Sequence, residues 1–221
     1  MRITFRRFPG HAAAYSVIER DDGVVYRMKE FTSPGSRLPH DLRHLIVERE
    51  LAIADGLWGA IAAGAVYTSM DHVQGRRPPH AAERSARLKR VQRQPVMLAG
   101  LLADLVEAVA TLDTPSEDEI RRLTREKLSV VPVTGPGDDP ADDPAEGAAA
   151  SASTVVPAPA VLAKAARTLQ VEAARWARLR VGEELVYSWP AAPAVTSRAL
   201  HAVPRPRETG DPRRTGKRGP R

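Results

Sequence analysis

The sequence predicts an α+β fold in which a small antiparallel sheet, made of N-terminal hairpin strands and one C-terminal strand, packs on a helical core. Three observations carry this. Short apolar runs flank an Asp22-Gly23 turn near the N-terminus, a strong local hairpin signal. From residue 38 to residue 128 the apolar side chains recur mainly at helical spacing. Near the other end, Leu185, Tyr187 and Trp189 alternate with Glu184, Val186 and Ser188. A lone strand has no independent stability, so this one is expected to complete the N-terminal sheet.

Taken in order, residues 2–6 alternate polar and apolar and predict a first strand, closed off by Pro9-Gly10. Residues 13–19 predict a second strand, Asp21-Asp22-Gly23 a turn, and residues 24–29 a third strand. A loop over 32–37, with Pro34-Gly35, leads into the apolar centre of the chain, residues 38–70. Pro39 suits the first turn of a helix, where an N–H would have no partner. On the helix that follows, Leu42, Leu45, Ile46, Ala52 and Ile53 share a core-facing stripe. His40, His44, Val47, Glu48 and Leu51 form a second face, which leaves Arg43 and Glu50 pointing outward.

Asp55-Gly56 breaks this helix, and residues 57–66 predict a buried one whose small residues, Gly59, Ala60, Ala63 and Gly64, allow close backbone approach. Residues 71–79 read as a connector. Residues 83–94 predict a basic helix, which Pro95 interrupts or restarts, and residues 96–112 an apolar one. Thr114-Pro115-Ser116-Glu117 has the form of a capping box with proline at the first helical position, opening a helix to about residue 128. Residues 161–180 predict a long amphipathic helix.

The resulting organisation is a body over residues 1–132, a linker over 133–159, a helix and strand over 160–190 that complete the same domain, and a tail over 191–221. The linker is rich in Pro, Gly, Ala, Ser and Asp and offers little apolar surface to offset the entropy of ordering, so disorder is expected. The tail carries Arg198, Arg205, Arg207, Arg213, Arg214, Lys217, Arg218 and Arg221 against Glu208 and Asp211, and so accounts for the whole net charge of +6. It lacks a periodic core and is also expected to be disordered.

Cysteine is absent, which excludes disulfides, thiolate catalysis and cysteine-based metal sites. The N-terminus shows charges without a following apolar stretch, so no secretory signal is visible and a cytoplasmic protein is expected. The apolar stretch after Gly56 is too short for a membrane span.

One segment suggests chemistry. His40 and His44 stand four residues apart, and Glu48 follows one turn later, so all three could reach one divalent metal such as zinc. The segment resembles the His-Glu-x-x-His helix of zinc metalloproteases, with Asp41 in place of the glutamate that serves as general base. Asp41 is therefore the candidate catalytic group of a metal-dependent hydrolase. The competing reading makes both histidines half-buried structural residues. A second candidate surface is the basic helix with Arg84, Arg87, Lys89 and Arg90, which together with the tail could meet nucleic acid. It has no aromatic residues interleaved for base stacking. With no nucleotide-binding loop, nucleophile elbow or triad in sight, a non-enzymatic binding or regulatory protein with a protein partner is the leading expectation.

The run from Leu38 through Ala65, together with the N-terminal strands and the late helix and strand ending in Trp189-Pro190, resembles a family of uncharacterised proteins from high-GC bacteria. That resemblance implies a shared fold and carries no activity, substrate or site.

Overall fold

The computed structural model describes residues 1–9, 15–29, 37–129 and 156–190. The start of the second strand, most of the loop before the central helix, nearly all of the linker, and the tail lie outside the described residues.

Strands β1 (Arg2–Arg6), β2 (Tyr15–Glu19), β3 (Val25–Lys29), β4 (Met70–Gln74) and β5 (Glu184–Ser188) form one five-stranded sheet in the order β4-β3-β2-β1-β5. Every pairing is antiparallel. Side chains alternate across the sheet. Ile3, Phe5, Ile18, Tyr26, Met28, Leu185 and Tyr187 enter the core, while Thr4, Val17, Arg27 and Val186 share one row of the opposite face. The C-terminal strand pairs with β1 as expected, with Ile3 opposite Tyr187 and Phe5 opposite Leu185.

β4 falls where a connector was expected. Among its residues only Met70 is buried, and Asp71, His72 and Gln74 give it no apolar alternation. It is an edge strand, held by backbone pairing with β3 rather than by burial. Gly75 ends it at φ +90°, where a Cβ would come 2.3 Å from the Gly23 carbonyl oxygen.

The helices are α1 (His40–Glu50), α2 (Leu57–Ala63), α3 (Ala81–Val91), α4 (Arg93–Ala110), α5 (Glu117–Leu128) and α6 (Pro159–Arg178). Pro95 lies in the first turn of α4 and does not break it, because its missing N–H is not needed there. α5 does begin with a capping box, but two residues later than expected. The Ser116 hydroxyl accepts from the Glu119 N–H at 3.3 Å, and the Glu119 carboxylate accepts from the Ser116 N–H at 2.9 Å. Thr114-x-x-Glu117 and Ser116-x-x-Glu119 both match the pattern, and the structure uses the second.

The core joins both parts of the described chain. Leu42 and Leu45 of α1, Leu105, Val106 and Val109 of α4, and Leu162 and Leu169 of α6 belong to one cluster with the inner face of the sheet. Each such side chain contributes roughly 2 kcal/mol of burial. Trp58 links the layers: its ring meets Phe5 edge-on at 6.0 Å, and its indole N–H donates to the Asp41 carbonyl at 3.0 Å.

Candidate functional site

α1 carries the polar cluster that the sequence singles out, and it is unusually buried for such residues. Asp41, His44 and Glu48 are buried along with Leu42, Leu45, Ile46 and Val47. Pro39 occupies the cap position just before the helix and offers no side-chain cap. The histidines do share a face: the His40 and His44 rings lie 4.4 Å apart, tilted by 42°. His40 is half-buried, and its Nδ1 lies 3.3 Å from Asp41 Oδ1.

His44 packs toward α4 beside Gly100, where a Cβ would lie 3.6 Å from its Cε1, an ordinary contact. Its Nδ1 and Asp41 Oδ2 are buried without a hydrogen-bond partner among the described residues. Burial lowers the His44 pKa to about 3, with His40 and Arg43 adding to the effect, so its imidazole is neutral under ordinary conditions.

Glu48 turns away from the histidines. It reaches forward to the start of α2, where the Leu57 N–H donates to Oε1 at 2.8 Å and the Trp58 N–H donates to Oε2 at 3.0 Å. The Gly59 amide also bonds it. A short helix thus has its free N–H groups satisfied from outside its own sequence. Gly56 makes the approach possible, since a Cβ there would come 2.5 Å from the Glu48 carboxyl carbon. Burial pushes the Glu48 carboxyl up to about 8, against the pull of these amides, with Asp55 adding to the rise.

This geometry corrects the expected ligand set. A carboxylate bonded to the α2 amides is not also directed at His40 and His44. Among the described residues no group of three or more His, Asp or Glu side chains is placed to hold a metal ion. Asp41 sits beside His40 as a buried partner, its backbone carbonyl holding Trp58.

Two side chains expected to face outward do not. The Arg43 side chain is only 12% exposed; it meets Asp104 at 3.0 Å and also Glu107, both on α4. Glu50 meets Lys164 of α6 at 3.3 Å. The sequence signal for the first pair was Asp104 and Glu107 at i and i+3 on one helix, which becomes informative only once α4 is known to lie beside α1.

The chain matches no family model, no curated protein and no solved structure.

The other sequence-derived candidate, the basic helix, is α3. It is peripheral: Ser85 is its only buried residue, and Arg84, Arg87 and Arg90 are exposed. Ser85 fastens it by accepting from the Val66 N–H at 2.8 Å and donating to the Val66 carbonyl at 3.3 Å. A further surface feature is an open groove on the last turns of α6, lined by Val171, Ala174, Arg175, Arg178 and Leu179. Among the described residues no helix is long and apolar enough to cross a membrane.

Proposed function

We propose that this is a non-enzymatic binding or regulatory protein, acting in the cytoplasm and kin to the high-GC bacterial proteins that residues 38–65 resemble. The observation that supports the reading is where the α1 polar groups go. Glu48 caps α2, Arg43 and Glu50 tie α1 to α4 and α6, and the Asp41 carbonyl holds Trp58. Side chains engaged in holding the framework together are poor candidates for handling a substrate, and release of Glu48 would leave the Leu57 and Trp58 N–H groups unpaired. What remains open to other molecules is surface.

Two measurements test this together. Affinity capture with the full chain, under reversible crosslinking, should return a stoichiometric partner, and repeated capture of none counts against the proposal. Metal content is measured on the untagged protein beside a His40→Ala/His44→Ala variant. The expected result is no stoichiometric metal and a lowered melting temperature in the variant. Zinc, manganese or iron at about one equivalent, lost in the variant, would return the α1 site to chemistry and overturn the reading.

A further inference from the structure

One side of the sheet packs into the core with the helices. The other side carries Arg2, Arg6, Arg27, Lys29 and Glu184, all exposed, so no described helix covers it. Val17, Val25 and Val186 lie on that side, half-buried and outside the core cluster. An antiparallel sheet can leave one face in water, and such a face is normally polar. The centre of this one is not. The register sets Val186, Thr4 and Val17 side by side on β5, β1 and β2, with no charge among them.

Charged rows flank that centre. On one side Arg2 meets Glu19 at 3.2 Å. On the other, Arg6 meets Glu184 at 3.0 Å, and the same row continues through Tyr15 to Lys29. An uncharged centre within a charged rim is the anatomy of a protein–protein interface. The charges themselves narrow the occupant. Cations and carboxylates alternate along each row and are paired within the molecule, so a polyanion meets no continuous positive field. The occupant must instead match an alternating pattern.

A second copy of the same face does so. A twofold axis running along the strands, between β1 and β2, lays β1 over β2 of the second copy and β5 over its β3. Sheets stacked in this way lie about 10 Å apart with strands within about 30° of alignment. Arg2 then faces Glu19 of the second copy, Glu184 faces Lys29, Thr4 faces Val17, and Val186 faces the stem of Arg27. The axis repeats every one of these contacts. The alternative axis, in the same plane but across the strands, would set Arg2 against Arg6. The charge pattern therefore accepts a second copy and selects its orientation. Four overlapping strands of five residues give a face of about 19 Å by 17 Å. That is small for a specific interface, which sets the expected affinity in the micromolar range.

We infer that the outer face of the sheet is the interface of a weak, twofold homodimer with Thr4 and Val17 at its centre. The inference goes beyond the binding reading above and does not depend on it.

The test follows the full chain by sedimentation velocity from about 1 to 200 μM, beside two charge reversals, Arg2→Glu and Glu19→Arg. Wild type should pass from monomer to dimer within this range. Each reversal alone sets like charges opposite one another at both symmetric contacts, so its dissociation constant should rise at least about 10-fold. An equimolar mixture of the two variants restores opposite charges across the axis and should dimerise like wild type. The exchanged chain, Arg2→Glu/Glu19→Arg, keeps the internal pair as well as the facing one. It should also dimerise like wild type, which separates a lost contact from a damaged fold. Wild type that stays monomeric at the top of the range overturns the inference. A dimer whose affinity neither reversal changes overturns it too, and places the contact elsewhere, as at the open edge of β4. An exchanged chain that dimerises no better than the single reversals has the same consequence.

Discussion

Glu48→Gln is the most selective perturbation of the α1–α2 junction. The amide keeps the size of the side chain but cannot ionise, and it exchanges one acceptor oxygen for a donor nitrogen. That nitrogen must face either the Leu57 or the Trp58 N–H, which now both donate to the carboxyl group. One buried amide therefore loses its partner, at a cost of about 1–3 kcal/mol. A second effect runs with pH. Burial raises the Glu48 carboxyl from its ordinary 4.5 to about 8, so the folded protein holds this proton more tightly than the unfolded chain does. Unfolding then releases a proton between those values, and stability falls as pH rises. The contribution is whole below 4.5 and lost as pH rises through about 8.

At about 1.4 kcal/mol per pH unit, the window is worth on the order of 5 kcal/mol. The amide variant lacks this slope. It should therefore be less stable than wild type near the acid end of the window and equal to or more stable than wild type near the alkaline end. Urea unfolding across that range, followed by the fluorescence of buried Trp58, reads the difference directly. A gap between wild type and variant that stays constant, or widens as pH rises, would show that the α2 amides hold the carboxylate as an anion. Burial would then not be what governs the protonation of Glu48.

Two further variants probe the same helix. His44→Leu should flatten the acid limb: burial lowers the imidazole from 6.5 to about 3, so its contribution is complete above 6.5 and is lost as pH falls toward 3. Urea midpoints at the two ends of that window should therefore differ less in the variant than in wild type, and an unchanged difference would remove His44 as the cause. Arg43→Met strands Asp104 and Glu107, but those carboxylates are 49% and 35% exposed, so water takes over part of their solvation and the cost should be about 1–2 kcal/mol. A double-mutant cycle with Asp104→Asn measures the coupling, and a value near zero would mean the pair does not fasten α1 to α4.

How far the sequence could be read depended on whether a feature was local. β1, β3 and β5 show alternation because each sends every second side chain into the core (Ile3 and Phe5, Tyr26 and Met28, Leu185 and Tyr187), and the pairing of β5 with β1 followed from the need of a lone strand for a neighbour. β4 buries only Met70, so nothing in its residue types marks it, and its pairing with β3 alone defines it. On α1 the helical period placed His40 and His44 together, as the structure has them. It could not show that Glu48 would reach forward: that depends on the Asp55-Gly56 turn bringing the start of α2 under the carboxylate. Arg43 was expected in water for a similar reason. A single-helix projection does not know that a second helix bearing Asp104 and Glu107 lies alongside.

The polar residues of α1 share a logic that the metal-site pattern obscures. Together they tie the helix to three neighbours: the Asp41 carbonyl and Glu48 to α2, Arg43 to α4, Glu50 to α6. An apolar helix of the same length could slide or rotate against three surfaces at little cost, whereas bonded polar groups fix one register. Two of the buried groups also titrate in opposite senses. Glu48 favours the folded state toward acid and His44 favours it toward neutral pH, so between 4.5 and 6.5 their slopes oppose and cancel, and stability from this pair declines on either side. Histidine and glutamate a turn apart on one helix therefore need no shared ligand to account for their presence. Burying the two together holds the α1 contribution level over that range, where either one alone would tilt it.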